Sequence, residues 1–128
     1  MISIGKIFSF SAAHHLPHHE GQCANEHGHN YKLEVEVGFK GKRTGSLLQT
    51  SGPAQGMVMD FNDLTAIVSQ TILDHDHKYL NDIYLNPTAE NMLLGMAAYI
   101  KASLPMGIEI KKLKLWETEK CYAEWTED

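Results

Sequence analysis

Two long runs of alternating residues constrain what this chain can fold into. From His27 onward, His27, His29, Tyr31, Leu33, Val35, Val37 and Phe39 share one parity; Gly28, Asn30, Lys32, Glu34, Glu36, Gly38 and Lys40 share the other. Residues two apart in a strand lie on the same face, so the run predicts a strand over 28–40 with one face buried. Upstream, Ile4, Phe8, Phe10, Ala12 and His14 are in phase over 2–14, with Lys6 the one misfit. If the two runs pair antiparallel through the 15–26 loop, His14, His27 and His29 meet on the buried side of one hairpin. His15 has the wrong parity and is read as a surface or phosphate-side residue. Imidazole nitrogen binds zinc at about 2.0–2.1 Å, and three protein ligands leave a fourth position open. A lone histidine on an apolar face is usually a hydrogen-bonded core residue; three in phase make His14, His27 and His29 candidate ligands of Zn²⁺. Cys23 stands close by in sequence.

The rest of the chain supplies helices first and strands afterwards. Gly41 to Gly56 is rich in Gly, Ser, Thr and Pro and reads as a long exposed loop or hairpin extension. Asp60 or Asn62 can cap a helix over 61–73, whose apolar stripe is Leu64, Ile67, Val68, Thr71 and Ile72. Thr88 is the N-cap expected for a second helix, with Met92, Leu93, Met96, Ala97 and Ile100 as its stripe; the methionines are read as core filler. Strands follow at 108–117 and 120–126, turning near Thr118-Glu119-Lys120. Ile108 and Ile110 are out of phase with Leu113 and Leu115, which predicts a bulge around Lys111-Lys112. The order ββααββ predicts an α+β fold: a four-stranded antiparallel sheet with two helices on one face. Two open sheet edges invite pairing with another copy, unless short or charged edges keep the chain monomeric.

At 128 residues the chain is expected to be a single domain, 1–128. No apolar run approaches the roughly 18–20 residues of a membrane span, and the N-terminus lacks the basic start of a signal peptide, so the cytoplasm is the default location. Cys23 and Cys121 make no disulfide framework; Cys121 reads as a buried, inert thiol. A net charge of −5 disfavours a nucleic-acid surface. A phosphorylated ligand needs only a local patch, for which His15, His18, His19, Lys40, Lys42 and Arg43 are candidates.

Six motifs occur in an order that resembles the 6-pyruvoyl-tetrahydropterin synthase family: Phe10-Ser-Ala-Ala-His14, Cys23-x-x-x-His27-Gly-His29, Gly56-Met-Val-Met-Asp60-Phe61, Asp76-His77-x-x-Leu80-Asn81, Asn86-Pro-Thr-Ala-Glu90 and Glu117-Thr118. Within it the chain is most similar to the 6-carboxy-tetrahydropterin synthase branch, which serves queuosine and 7-deazaguanine synthesis. The resemblance implies a tunnelling fold, homohexamers with active sites at subunit interfaces, and 7,8-dihydroneopterin triphosphate as substrate. It implies a zinc-dependent lyase that forms 6-carboxytetrahydropterin and releases acetaldehyde and triphosphate. The alternative is 6-pyruvoyl-tetrahydropterin formation, without carbon–carbon cleavage. The three-residue gap between Cys23 and His27 resembles the carboxy branch.

By the same resemblance, His14, His27 and His29 match the zinc ligands and Cys23 the catalytic cysteine. A fourth ligand in a closed structural site is the other role open to Cys23, though structural sites are typically richer in Cys. Asp76 and His77 match a second acid/base pair; the chain contains Asp-His twice, and Leu80-Asn81 selects the second copy. Asp74-His75 is then read as a solvated helix end. Glu117 is in phase with Leu113 and Leu115, so its carboxylate should face inward and need donors; the family's glutamate grips the pterin amino and ring N–H groups. Thr88, a further candidate for substrate binding, and Glu90 are both candidates to touch the pocket, though their capping positions already explain them. Two other readings of the histidines stand: a hydrolytic or carbonic-anhydrase-like zinc site, which leaves Cys23 idle, and a metal-storage or metal-sensing protein with no pterin affinity.

Overall fold

The computed structural model describes residues 1–41, 48–49 and 51–127. Its elements are β1 (Ser3–His14), β2 (His27–Phe39), α1 (Phe61–His75), α2 (Ala89–Ser103), β3 (Ile108–Trp116) and β4 (Tyr122–Trp125), with short 3₁₀ turns at Gln22–Ala24 and Leu80–Asp82. The four strands form one antiparallel sheet in the order β1-β2-β3-β4. Each expected strand and helix is present within a few residues of its expected bounds.

Alternation drives the burial. Tyr31, Leu33, Val35, Val37 and Phe39 from β2 are buried, with Phe10 and Ala12 from β1 and Ile108, Ile110, Leu113 and Leu115 from β3. Leu64 and Val68 of α1, and Met92, Leu93, Met96, Ala97 and Ile100 of α2, complete the same core. The misfit Lys6 reaches across to hydrogen-bond the Thr65 hydroxyl on α1. The bulge falls where the phase change demands it: Glu36 faces Lys112 while Val37 faces Ile110, so Lys111 is the extra residue.

The helix ends follow their capping signals. The Asp60 carboxylate accepts from the Asn62 backbone N–H at 2.7 Å, and the Thr88 hydroxyl accepts from Asn91 N–H at 3.1 Å. Much of the connection expected from Gly41 to Gly56, including Lys42 and Arg43, lies outside the described residues. Its described end folds back on itself, Gln49 N–H donating to Met57 O and Gly56 N–H to Gln49 O, both at 2.9 Å. No helix among the described residues is long and apolar enough to cross a membrane.

Candidate metal centre

The hairpin register sets the histidines. His14 lies opposite His27 and Ala12 opposite His29, so the two β2 imidazoles and the last β1 imidazole share a face at the hairpin end. Ring centroids are 4.6, 4.8 and 5.1 Å apart, and one donor nitrogen from each lies within 4.8 Å of the others.

Backbone carbonyls decide which nitrogens are free. Nδ1 of His14 donates to Pro87 O at 2.8 Å, and Nδ1 of His27 donates to Asn25 O at 2.7 Å. A carbonyl can only accept, so each neutral ring carries its proton on Nδ1 and presents a lone pair at Nε2. Those two Nε2 atoms face each other at 3.0 Å. Two lone pairs at that distance repel; a cation shared between them reverses the sign. Burial lowers the pKa of His14 and of His29, which favours the neutral ligand form. Three imidazoles, two oriented by carbonyls, suit zinc.

Glu117 closes one side of the cluster. Its Oε1 lies 3.5 Å from His14 Nε2 and 3.6 Å from His29 Nε2, so the inward direction expected from strand phase is met. Tyr31, whose hydroxyl is 3.3 Å from His14 Nδ1, has its acidity suppressed by burial first and the Glu117 charge second. Cys23 sits half-buried on the 22–24 turn, where its carbonyl accepts Leu16 N–H at 2.8 Å. Its sulfur is not among the mutually close donors.

Asp76 and His77 occupy a different place, along the open edge of β1. Asp76 caps the end of α1, accepts Ser11 N–H at 2.9 Å and lies 3.0 Å from His77 Nδ1. The Ser11 N–H, followed by the His77 contacts, holds the Asp76 carboxyl below its usual range. His77 is 84% exposed in its side chain, has a left-handed φ of 58° and anchors its N–H to Ser11 O at 2.6 Å. His77 and His29 both line one open depression of about 490 Å³, with Ser11, Asn30 and Tyr79.

Two expectations are corrected. His75 is not a solvated helix end but 5% exposed, held between Thr71 O and the Tyr84 hydroxyl; Asp74 beside it is exposed. It continues the Leu64–Val68–Thr71 stripe at helical spacing, a signal its polarity masked. Cys121 is exposed, not buried, because it belongs to the β3–β4 turn: its N–H donates to the Thr118 hydroxyl at 3.1 Å. His15 stays out of the histidine cluster, as its parity requires, and pairs with the Tyr79 hydroxyl.

Three residues from the quoted motifs make contacts that their motifs did not specify. Pro87 acts through its carbonyl on His14. Asn81 clamps the backbone of His15, its Oδ1 accepting N–H and its Nδ2 donating to C=O, both at 2.9 Å. Thr88 spends its oxygen as the α2 cap, next to the carbonyl that orients His14.

A four-stranded antiparallel sheet backed by two helices, with three imidazoles converging at its first hairpin, defines a tunnelling-fold protein with a site able to take a metal. The chain belongs to the 6-pyruvoyl tetrahydropterin synthase family, whose profile matches residues 3–128. It is 44% identical over 104 residues to a 6-carboxy-5,6,7,8-tetrahydropterin synthase of Synechocystis sp., covering 79% of this chain and 73% of that one. Identity to the Haemophilus influenzae protein of the same name is 33%, over 99% and 100% of the two chains. A dihydroneopterin monophosphate aldolase of Pyrococcus furiosus is 37% identical over 85% of this chain and 83% of its own. Among solved structures, the Caenorhabditis elegans 6-pyruvoyl tetrahydropterin synthase superposes with a TM-score of 0.76 at 26% identity, covering 99% of this chain and 96% of that one.

Proposed function

We propose that this chain is a 6-carboxy-5,6,7,8-tetrahydropterin synthase, a lyase that converts 7,8-dihydroneopterin triphosphate and one water to 6-carboxytetrahydropterin, acetaldehyde and triphosphate. The observation that carries the proposal is the convergence of His14, His27 and His29 beside the Glu117 carboxylate, in a chain similar to proteins of that name. The three imidazoles would hold Zn²⁺, which when bound supplies Lewis-acid polarisation of the substrate's side-chain hydroxyls.

The remaining chemistry belongs to the chain. The Cys23 thiolate accepts a carbon-bound proton from the substrate side chain. His77, oriented through Nδ1 by Asp76, is the second proton carrier. Glu117 accepts the amino and ring N–H donors of the pterin and so fixes its orientation. The Thr88 hydroxyl, whose oxygen is engaged in the cap, keeps its own proton to donate to substrate. A homohexamer, with sites at subunit boundaries completed by neighbouring chains, goes with this reading. A cytoplasmic location and a place in queuosine synthesis go with this function.

Incubation of the zinc-loaded protein with 7,8-dihydroneopterin triphosphate should release acetaldehyde and triphosphate together. Consumption of substrate without acetaldehyde would instead identify 6-pyruvoyl-tetrahydropterin formation. The similarity to the Pyrococcus furiosus aldolase favours one second reading, cleavage of dihydroneopterin monophosphate. Turnover of the monophosphate in preference to the triphosphate would establish it.

A further inference from the structure

The segment carrying Asp76 and His77 is a loop with a closed neck. At one side of the neck, His75 ends the buried stripe of α1 at 5% exposure. Its Nδ1–H donates to Thr71 O at 2.6 Å, leaving Nε2 to accept the Tyr84 hydroxyl at 2.6 Å. Burial pushes the Tyr84 phenol up to about 12, so the hydroxyl retains the proton it donates. Its ring and that of Phe10 flank the imidazole, with centroids 5.6 and 5.7 Å away.

Gly95 explains how Tyr84 reaches this position. It lies inside α2, where helices disfavour glycine. A Cβ there would stand 3.2 Å from the Tyr84 hydroxyl oxygen and 3.3 Å from Cε1, closer than ordinary contact. The missing methyl is the space the phenol occupies.

Within the loop, His77 holds a left-handed backbone conformation that non-glycine residues seldom adopt. Such a conformation persists where its surroundings over-determine it. The His77 N–H is tied to Ser11 O, Ala13 N–H to Lys78 O at 3.1 Å, and Lys78 N–H to His75 O at 3.3 Å.

We propose that the part-buried His75–Tyr84 hydrogen bond, seated in the space left by Gly95, is the positioning device for Asp76 and His77. It closes the neck of loop 75–84 and keeps His77 in its left-handed conformation against β1. His75 and Tyr84 are positioning residues acting through that loop. The proposal rests on the assignment of Asp76–His77 as proton carrier, but its structural half can be measured without turnover.

Tyr84→Phe removes the bond and keeps the ring. Amide exchange at His77 and Lys78 should accelerate about tenfold while β2 amides stay unchanged. Turnover should fall about tenfold in kcat with KM within about twofold. Gly95→Ala, which leaves both partners but crowds the hydroxyl, should act in the same direction by a smaller factor and serves if Tyr84→Phe does not fold. Unchanged exchange at His77, or equal acceleration throughout the sheet, would overturn the proposal; so would an unchanged kcat in a Tyr84→Phe protein whose His77→Ala counterpart is inactive. If His77→Ala itself retains full turnover, the proton-carrier assignment is what fails, and the exchange result still decides the neck.

Discussion

The end of the first hairpin and the loop after α1 both present histidine to the site, but the fold positions them by different means. His14, His27 and His29 sit on regular strands, where register alone brings three rings together. Asp76 and His77 sit on a loop and are held by Ser11 backbone contacts, a left-handed turn and the clamps around them. A site on strands inherits precision from the sheet ladder. A site on a loop needs each of its clamps, so its failures should be local, graded and separable from the fold.

The largest expected effect attacks the strand side. Leu33→Ala removes a fully buried side chain from the centre of β2 and should cost about 2–5 kcal/mol, read as a shift in the urea midpoint. Its penalty should appear in stability and not in zinc affinity per folded molecule. His27→Ala should do the reverse: zinc affinity falls by more than about 100-fold, beyond the usual cost of losing an outer-shell partner, with the sheet intact by circular dichroism. If His27→Ala binds zinc as the parent does, the hairpin end is not the metal site.

On the loop side, Asn81→Ala leaves the His15 N–H and C=O without their clamp. The expected cost is about 1–3 kcal/mol, measured by thermal unfolding. Thr88→Ala removes the α2 cap and should cost about 0.5–2 kcal/mol. Because that cap adjoins the carbonyl that orients His14, a loss of zinc affinity beyond the loss of stability would show the two regions to be coupled.

The smallest effect depends on pH. The Ser11 N–H, then His77, depresses the Asp76 carboxyl. A depressed carboxyl stabilises the fold above its unfolded value, near about 3.9, and loses that contribution as pH falls through the folded value. The parent should therefore be more stable than Asp76→Asn at pH 7, and the gap should close as the medium is acidified below pH 4. A gap constant down to the most acid pH would remove Ser11 and His77 from the account of Asp76.

The same contrast explains how much could be read from the sequence. Strand parity brought His14, His27 and His29 together, excluded His15 and turned Glu117 inward, because a period of two leaves little choice once one face is apolar. The phase break between Ile110 and Leu113 located the bulge. Pro87 and Asn81 stood in quoted motifs, but their contacts were not legible, since a carbonyl or amide that meets a distant segment leaves no periodic mark. His75 was legible in spacing but concealed by residue type, as polarity suggested solvent where the helix stripe required burial. Cys121 was misread for the opposite reason: an apolar preference for the interior gave way to its place in a turn.

The central claim is that three imidazoles hold the metal and leave Cys23 free for proton transfer. X-ray absorption at the zinc edge of the loaded protein tests it most directly. The account predicts nitrogen scatterers at about 2.0–2.1 Å and no sulfur shell. A sulfur at about 2.3 Å that disappears in Cys23→Ala would make Cys23 a ligand and contradict its assignment as the base.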